Sequence, residues 1–418
     1  MTNVVIIGQG YVGLPLAQGA VQAGISVTGF DLNKNTVEKL NKGLSHIDDL
    51  RDADIAEMLS AGYVASNDPT VIKNADVVVI CVPTPLGEAG VPDLGAVVSA
   101  TKTIAAHYSV GTLVVLESTT YPGTTDDLIR PILEVEGRLL DRDFYLAFSP
   151  ERIDPGNQTY GLKNTPKVVG GISAKSTELA AEFYSKFVDT VVTAKGAREA
   201  ETAKLLENTY RHINIALMNE MARFCHELDI DLWNVIEAAK TKPFGFQAFY
   251  PGPGVGGHCI PIDPNYLSFQ VRRSLGYPFK FVELAEEVNN SMPAYVVERV
   301  QGMLNEARKS INGSSVLLLG VTYKPNIADQ RESPATPIAQ LLLSKGAEIS
   351  FHDPKVDTWQ VAGKTLKTEP DLHAAIQSAD VVVLLQNHSE YDADALSQKA
   401  SLFFDTRGVT TTSAATRL

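Results

Sequence analysis

Residues 4–31 constrain the fold of this chain more than any other segment. They read VVIIGQGYVGLPLAQGAVQAGISVTGFD, in which the first apolar run predicts a buried strand and a helix is expected from about Val12. A second strand is expected at 26–30, so the segment predicts one strand–helix–strand unit with parallel strands. Between the first strand and the helix stand three glycines with the spacing G-x-G-x-x-G, namely Gly8, Gly10 and Gly13.

The glycine turn and the residue that ends the second strand together predict a dinucleotide site. Glycines permit a tight turn and let backbone amides approach a pyrophosphate, whose charge is favoured by the helix N-terminus. Asp31 stands where a carboxylate can accept both ribose hydroxyls, and it would repel a 2′-phosphate. The pattern therefore favours NAD over NADP, and over a purely structural tight turn.

The same plan returns near the other end of the chain. The segment SSVLLLGVTYKP predicts a strand at about 316–321, a helix is expected at about 337–344, and GAEISFHDP repeats the pattern of GISVTGFDL. Further strands are expected at about 76–82, 113–117 and 379–385. Short apolar strands that alternate with helices predict an α/β fold with two Rossmann-like, doubly wound parallel-sheet domains. The second copy has Lys324 where the first has its glycine triplet, which suits a phosphate held by a side chain.

The middle of the chain predicts helices and one long loop. Residues 199–228 contain neither Gly nor Pro and repeat apolar residues every three or four positions, so one long helix is expected. A second helical stretch should run from Phe281 toward Ser310, with Pro293 as a break or a start. A loop rich in Gly and Pro is expected at 242–266. We therefore divide the chain into an N-terminal NAD-binding domain, a central helical region and a C-terminal Rossmann-like domain, at 1–197, 198–311 and 312–418.

Composition limits the partners of this chain. Its 418 residues carry 36 Lys and Arg against 49 Asp and Glu, a net charge of −13, which disfavours a nucleic-acid partner. The apolar runs are far shorter than the roughly 20 residues of a membrane helix. Since the first residues also lack the features of a signal peptide, we expect no membrane contact and a cytoplasmic location.

The three cysteines are too few for a disulfide framework. Cys259 lies in GGHCIPID, where flanking glycines permit close approach of a substrate, so the loop alone leaves a nucleophilic thiolate and a buried structural cysteine equally open. No second cysteine or suitably spaced histidine pair supports a zinc site, and no metal is expected. Cys81 and Cys225 lie within a predicted strand and a predicted helix, so both are expected in the core.

Two further patterns could belong to a site. Lys204, Asn208 and Arg211 form a polar stripe on the long helix; from the helix alone a solvated face is the favoured interpretation and a cleft the alternative. The segments EST at 117–119 and SPER at 149–152 follow predicted strands, at the sheet edge where ligands bind in open α/β folds. Turn and capping roles for Ser118 and Thr119 are the alternative.

In their order along the chain, these motifs resemble those of a known enzyme family. The segments GQGYVGLPLA, CVPTP, EST, SPER, AKLLEN, GPGVGGHCIPIDP and GVTYKPNIADQRES are similar to the nucleotide-sugar 6-dehydrogenases of the UDP-glucose/GDP-mannose dehydrogenase family, over about residues 1–407. The resemblance implies an NAD-dependent oxidoreductase that oxidises the sugar C6 hydroxymethyl group to a carboxylate in two steps through a thioester. It also implies that the C-terminal domain binds the UDP moiety of the substrate.

The resemblance also implies roles for individual residues. Cys259 would be the nucleophile, Lys204 and Asn208 would hold the oxyanion and water, and Asp263 would be their charged partner. Glu151 would be the acid/base carboxylate, and Thr119 the hydroxyl that positions water. The expected cofactor contacts are Gly8, Gly10, Tyr11, Val12, Gly13, Asp31, Pro83, Thr84, Thr119 and Arg331. The expected substrate contacts are Glu151, Arg152, Lys204, Asn208, Arg211, Tyr250, Gly256, His258, Tyr323, Lys324 and Arg407.

Within the family, the loop around the cysteine favours the N-acetylhexosamine branch. His258 and Ile262 are similar to that branch, and the wording PFGFQAFYPGPGVGGHCIPIDP is most similar to the UDP-N-acetylglucosamine 6-dehydrogenases. UDP-ManNAc, UDP-GalNAc and UDP-glucose remain alternative substrates, and the product would serve the synthesis of a surface polysaccharide. A one-step dehydrogenase that uses only the N-terminal Rossmann unit is the enzymatic alternative, and it would form one NADH per substrate instead of two. A non-catalytic NAD or nucleotide-sugar sensor is less favoured, because a binding protein needs no nucleophile, acid and oxyanion donor together.

A homodimer or a higher homo-oligomer is expected from the long helix. Ile213, Leu217, Met221 and Phe224 recur at helical spacing and would form an apolar row along it. Dimers are common in the family that the chain resembles. Packing of the row inside the chain is the alternative.

Overall fold

We analysed a computed structural model of the chain, which describes residues 2–47, 49–87, 91–153, 157, 159–257 and 260–418. The described part forms two compact units. The first comprises Met1–Glu207 with Asn265–Tyr277, and the second Asn208–Pro264 with Pro278–Leu418. This boundary lies inside the long central helix, so the division at 197/198 and 311/312 stays a prediction from the sequence.

An eight-stranded sheet forms the core of the first unit. Its order is β3-β2-β1-β4-β5-β6-β7-β8, and every neighbouring pair is parallel except β6 with β7. The order 3-2-1-4-5-6 is that of the Rossmann fold, with its reversal between β1 and β4. The strands are β1 Asn3–Ile7, β2 Ser26–Phe30, β3 Val64–Ser66, β4 Val77–Ile80, β5 Thr112–Leu116, β6 Phe144–Phe148, β7 Lys167–Gly171 and β8 Val191–Thr193.

Helices cover this sheet because its central strands are apolar on both faces. All residues of β4 and β5, VVVI and TLVVL, are buried, as expected for parallel strands with helices on either side. The helices are α1 Gly13–Gln22, α2 Lys34–Asn41, α3 Asp52–Ser60, α4 Gly95–His107, α5 Arg130–Leu133 and α6 Ala174–Tyr184. Shorter helical turns cover Pro69–Asn74, Thr124–Ile129 and Val135–Gly137.

The second unit contains the second Rossmann-like sheet that the sequence predicts. Five parallel strands follow the order β10-β9-β13-β14-β15, and an antiparallel hairpin pairs β11 with β12. Counted along the chain without the hairpin, the order is 2-1-3-4-5, the other common doubly wound arrangement. The strands are β9 Ser315–Leu319, β10 Glu348–His352, β11 Thr358–Val361, β12 Lys364–Lys367, β13 Val381–Leu384, β14 Phe403–Asp405 and β15 Thr416–Arg417.

The remaining helices include the predicted long one, which continues from the first unit into the second. They are α7 Ala197–Glu227, α8 Leu232–Ala239, α9 Asp263–Leu275, α10 Lys280–Glu306, α11 Ala335–Ser344, α12 Leu372–Ser378 and α13 Ala393–Ser397. No helix within the described ranges is both long enough and apolar enough to cross a membrane.

Two expectations for the central region were wrong. Pro293 neither breaks nor starts a helix: α10 runs through it, and the proline is buried. A Cβ at Gly254 would lie 3.6 Å from the carbonyl oxygen of Asn289, which loses its helical partner at Pro293, and 3.7 Å from the proline ring, so the glycine-rich loop packs closely on this part of α10. The loop expected at 242–266 also ends earlier, because α9 already begins at Asp263.

Candidate active site

Four loops lie at one edge of the first unit's sheet because the strands before them are parallel and in register. Ile7 of β1 pairs with Ile80 of β4, Ile80 with Leu116 of β5, and Leu116 with Phe148 of β6. The glycine turn and the CVPTP, EST and SPER segments therefore leave the sheet at the same level. This is the carboxyl edge, where ligands bind in open α/β sheets.

The glycine turn between β1 and α1 excludes side chains at two positions and is open at a third. Gly8 has φ +92°, and a Cβ there would lie 2.6 Å from the carbonyl oxygen of Cys81. A Cβ at Gly13 would lie 1.9 Å from the carbonyl oxygen of Gly8. At Gly10, a Cβ would meet no described atom within 4 Å. Since α1 also begins without a side-chain cap, its first amides can face a pyrophosphate at this opening.

The backbone of the glycine turn orients the carboxylate of Asp31. Its Oδ2 accepts the N–H of Gln9 at 2.9 Å, and its Oδ1 accepts the N–H of Asn33 at 2.8 Å. Below it, the buried Gln9 side chain accepts the hydroxyl of Tyr63 at 2.6 Å and donates to the carbonyl of Ile6 at 2.8 Å. Each carboxylate oxygen keeps a second lone pair for a ribose hydroxyl, so the described residues fit an adenosine ribose.

Other predicted cofactor contacts lie beside this turn and after β4. Tyr11 is 41% exposed, Val12 is partly buried, and Pro83 is exposed. Thr84 is buried, and its carbonyl accepts the hydroxyl of Tyr266, the fully buried tyrosine of α9. That hydrogen bond anchors the CVPTP loop to a segment 182 residues away in the sequence.

A buried charge cluster lies where the EST and SPER segments leave the sheet. The Lys167 ammonium is 3.0 Å from Oε2 of Glu117 and 3.6 Å from Oε2 of Glu151. The hydroxyl of Tyr184 donates to the other oxygen of Glu117. Oε1 of Glu151 accepts the N–H of Ile153 at 2.5 Å, whereas Oε2 is buried and has no hydrogen-bond partner among the described residues. A buried carboxylate oxygen in this state is suited to accept a proton from a ligand.

Arg152 is held within the first unit rather than left open to a ligand. Its guanidinium lies 2.7 Å from the carboxylate of Glu207 on α7 and donates to the carbonyl of Pro166 at 2.6 Å. These contacts fix the SPER loop to the long helix.

The loop that follows Thr119 is also fixed to α7. Thr119 itself is partly buried. Further along, the buried Glu201 carboxylate accepts the N–H groups of Gly123 and Thr125 at 2.6 and 2.9 Å and the Thr125 hydroxyl at 2.6 Å. Burial raises the pKa of Glu201 to about 7, with these hydrogen bonds opposing the rise.

The polar stripe on α7 is only partly solvated, so the favoured interpretation from helical spacing alone was wrong for two of its three residues. Lys204 and Asn208 are 8% and 4% exposed, whereas Arg211 is exposed. Asn208 donates through Nδ2 to Oδ2 of Asp263 at 2.5 Å, and Asp263 is itself buried at the first position of α9. One amide hydrogen of Asn208 is thereby engaged, and the other can serve a ligand.

Cys259 and His258 lie outside the described residues. The glycines before them pack on the turn after β9, in the second unit. A Cβ at Gly256 would lie 2.7 Å from Cβ of Tyr323, and one at Gly257 would lie 2.6 Å from the Tyr323 ring. The N–H of Gly257 donates to the carbonyl of Arg331 at 3.0 Å. Predicted substrate residues of the two segments are thus brought together.

Arg407 lies against the same glycine-rich loop. A Cβ at Gly252 would lie 3.1 Å from its guanidinium, whose Nε donates to the carbonyl of Leu385 at 2.6 Å. Burial lowers the pKa of Arg407 to about 10, partly offset by Asp405, although an edge of the side chain remains accessible. The guanidinium stays protonated at neutral pH and is poorly hydrated, a combination suited to an anionic ligand.

The turn that carries Lys324 is stabilised by the counterpart of Asp31. Asp353, which follows β10, accepts the N–H of Val321 at 2.7 Å. Unlike Asp31, it is buried, and its Oδ2 lies 3.1 Å from Nε2 of His388. This carboxylate is therefore structural, and the partly buried Lys324 is the charged group that the turn presents.

Two other predicted residues have local partners in the second unit. The guanidinium of Arg331 pairs with Asp329, with Nε within 3.0 Å of both carboxylate oxygens. The Tyr250 ring stacks on Trp233 at 6.0 Å between centroids, and its hydroxyl donates to Glu237 at 3.0 Å. Tyr250 remains 42% exposed.

The sequence did not reveal the residues that anchor the CVPTP, EST and SPER loops of the first unit, namely Lys167, Tyr184, Glu201 and Tyr266. The only sequence signal for Lys167 is a charged residue directly before an apolar strand, in TPKVVGG. The two buried cysteines, Cys81 and Cys225, carry free thiols, as expected of core residues.

The first unit's sheet order and glycine turn define a Rossmann dinucleotide-binding protein, and comparisons with known proteins define its family. Three domain models of the UDP-glucose/GDP-mannose dehydrogenase family match: the NAD binding domain at residues 2–188, the central domain at 198–291 and the UDP binding domain at 317–412. The chain belongs to this family. It is an NAD-dependent nucleotide-sugar dehydrogenase, as the sequence motifs predicted.

The relatives act on different N-acetylhexosamines. A UDP-N-acetyl-D-mannosamine dehydrogenase of Methanocaldococcus jannaschii is 36% identical, over 93% of this chain and 86% of the relative. A UDP-N-acetyl-D-glucosamine 6-dehydrogenase of Salmonella typhi is 37% identical, over 86% and 84%. The solved structure of a UDP-D-ManNAc dehydrogenase from Pyrococcus horikoshii superposes with a TM-score of 0.88 at 31% identity, over 97% of this chain and 96% of that one.

Proposed function

We propose that the protein oxidises the C6 hydroxymethyl group of a UDP-N-acetylhexosamine to a carboxylate, for the synthesis of a surface polysaccharide. The observation that carries this proposal is the buried Oε2 of Glu151, which has no hydrogen-bond partner among the described residues and lies at the same sheet edge as the glycine turn. A dehydrogenation needs a proton acceptor beside the hydride acceptor, and this edge offers a place for both.

The overall reaction balances as R–CH2OH + 2 NAD⁺ + H2O → R–COO⁻ + 2 NADH + 3 H⁺. NAD, when bound, accepts a hydride in each of the two oxidations. We assign the nucleophile to Cys259, as the resemblance implies: its thiolate adds to the aldehyde carbon, oxidation of the adduct leaves a thioester, and water releases the carboxylate and restores the thiol. This covalent step would retain the aldehyde-level intermediate on the enzyme.

The other residues that the resemblance assigns to catalysis would divide the remaining tasks. Oε2 of Glu151 accepts the proton of the alcohol and later that of the attacking water, which Thr119 positions. Asn208, oriented by Asp263, donates its second amide hydrogen to the developing oxyanion, together with Lys204. Such preorganised donors contribute roughly 3 kcal/mol to the stability of a transition state.

The nucleotide end of the substrate would bind in the second unit. Arg407 and Lys324 supply positive charge for the diphosphate, and Tyr323 and Gly256 line the approach beside the glycine-rich loop. We also assign substrate contacts to Tyr250, His258 and Arg211 and a cofactor contact to Arg331. Arg152 would serve the substrate indirectly, by holding the SPER loop to α7.

UDP-GlcNAc is the proposed substrate on the wording of the loop around Cys259. UDP-ManNAc is the second candidate, because relatives named for the two sugars have almost equal identity to this chain. UDP-GalNAc and UDP-glucose are less favoured.

The exposed apolar face of α7 supports the proposal of a homodimer. Leu217 and Phe224 are 50% and 44% exposed, and Ile213 and Met221 are partly buried. Intrachain packing therefore leaves much of the predicted row open to a second subunit. Light scattering that gives a monomer would contradict this assignment.

The function is tested by following NADH with UDP-GlcNAc, UDP-ManNAc, UDP-GalNAc and UDP-glucose, with mass spectrometry of the product. Cys259→Ala and Cys259→Ser should abolish uronate formation while nucleotide-sugar binding survives. Cys225→Ala, at a buried cysteine of α7, is the matched control and should keep the wild-type rate. Full turnover by Cys259→Ala would contradict the covalent route.

A further inference from the structure

The buried ammonium of Lys167 is the least expected group near the candidate site. Lys167 is 3% exposed and begins β7, the antiparallel neighbour of β6. The pairs Phe148 with Gly170 and Ala147 with Gly171 align β7 antiparallel to β6, so the start of β7 at Lys167 lies toward the end of β6 from which the SPER loop leaves. The ladder thus brings a cation to the SPER loop by backbone geometry.

The ammonium contacts two carboxylates in different ways. Its 3.0 Å contact with Glu117 is a hydrogen bond between fully buried groups. Its 3.6 Å separation from Oε2 of Glu151 is too long for a strong hydrogen bond but close enough for strong attraction in a buried site. The ammonium therefore attracts Oε2 of Glu151 without occupying its lone pairs by a hydrogen bond.

We propose that Lys167, held by Glu117 and Tyr184, is a positioning residue that keeps Glu151 oriented as the proton acceptor of the reaction. The proposal rests on the proposed function, in which Glu151 takes the proton of the alcohol.

The titratable groups that face this cluster from each neighbouring element are Cys81 after β4, Glu117 after β5, Tyr184 on α6 and Lys167 on β7. Burial lowers the pKa of Lys167, but Glu117 and Glu151 outweigh that effect and raise it overall. Burial raises the pKa of Glu117, Cys81 and Tyr184, so the thiol and the phenol stay neutral. Lys167 is thus the cation that compensates the carboxylates of the cluster.

A purely structural role makes a different prediction. If Lys167 only neutralises Glu117, removing both charges together should restore a working enzyme. If Lys167 acts on Glu151, the same paired change should leave a folded enzyme with a defective proton acceptor.

The experiment measures NADH formation from the UDP-N-acetylhexosamine by Lys167→Met, by Lys167→Arg and by the paired variant Lys167→Met/Glu117→Gln. Lys175→Met, at an exposed lysine of α6, is the control. The paired variant should fold, with kcat lowered roughly 10- to 100-fold and KM within about threefold of wild type. Lys167→Arg should recover part of kcat, and Lys175→Met should match wild type.

Adding Glu151→Gln to the paired variant gives a second, independent measurement. If Lys167 works through Glu151, Glu151→Gln should lower kcat less in the paired variant than in wild type. A paired variant with wild-type kcat, or an additive loss on adding Glu151→Gln, would overturn the positioning role while the proposed function stands. A wild-type protein that forms no NADH from any nucleotide sugar would overturn both.

Discussion

Replacing Glu201 by glutamine should remove a pH dependence of stability from the first unit. The Glu201 carboxylate is fully buried and accepts three hydrogen bonds from the loop after β5, and burial raises its pKa from 4.5 to about 7. A carboxyl with a raised pKa binds more protons in the folded state than in the unfolded state. Its contribution to stability is therefore fully present below pH 4.5 and is lost as the pH rises through about 7.

The size of the effect follows from the shift. A rise from 4.5 to about 7 corresponds to about 3 kcal/mol between low and high pH, of which roughly 2 kcal/mol is lost between pH 5.5 and 8. For a unit of this size that loss corresponds to roughly 4–8 °C in melting temperature.

The assay is the melting temperature of the full chain from pH 5.5 to 8, for wild type, Glu201→Gln and Glu199→Gln. Glu199 lies two residues earlier, in the first turn of α7, and is exposed, so it is the matched control. The glutamine amide adds an N–H donor beside the N–H and O–H donors of the loop, so the melting temperature of Glu201→Gln should lie below that of wild type at low pH. The difference between the two melting temperatures should shrink by several degrees by pH 8. A difference in melting temperature between wild type and Glu201→Gln that stays constant from pH 5.5 to 8 would refute the reasoning, because Glu201 would then titrate alike in the folded and unfolded states.

Two further variants test the two ligand regions. Asp31→Ala should lower kcat/KM for NAD about tenfold, the effect of roughly one lost hydrogen bond. It should also lower the ratio of kcat/KM for NAD to kcat/KM for NADP, and an unchanged ratio would contradict the ribose assignment. Asn219→Ala removes the acceptor of the Gly252 N–H at 2.9 Å and the donor to Asn289 at 2.8 Å. It should raise KM for the nucleotide sugar with little change in KM for NAD, and the opposite pattern in initial-rate kinetics would show that this loop does not serve the sugar.

The first strand, glycine turn and helix could be predicted in detail because their signals are local. Gly13 is required by a contact within the turn, Gly8 has a positive φ there, and Asp31 marks the end of the next strand. The repeat of this strand–helix–strand pattern in the C-terminal part of the chain predicted the second sheet for the same reason. It did not predict that Asp353, the counterpart of Asp31, would be buried beside His388.

The polar interior could not be predicted from local patterns. Helical spacing assigned Lys204 and Asn208 to a solvated face, since the partner that allows Asn208 to be buried, Asp263, lies 55 residues away. Lys167 is likewise explained only by Glu117, 50 residues earlier, which an antiparallel strand brings beside it. Burial of a polar group depends on such distant partners, which a window of sequence does not contain.

The two-step oxidation is tested most directly by the stoichiometry of NADH formation. With limiting UDP-GlcNAc or UDP-ManNAc and excess NAD, complete conversion should yield two NADH for each uronate detected by mass spectrometry, with no free aldehyde trapped by an added amine. One NADH per sugar, with an aldehyde or ketone as the product, would contradict the account.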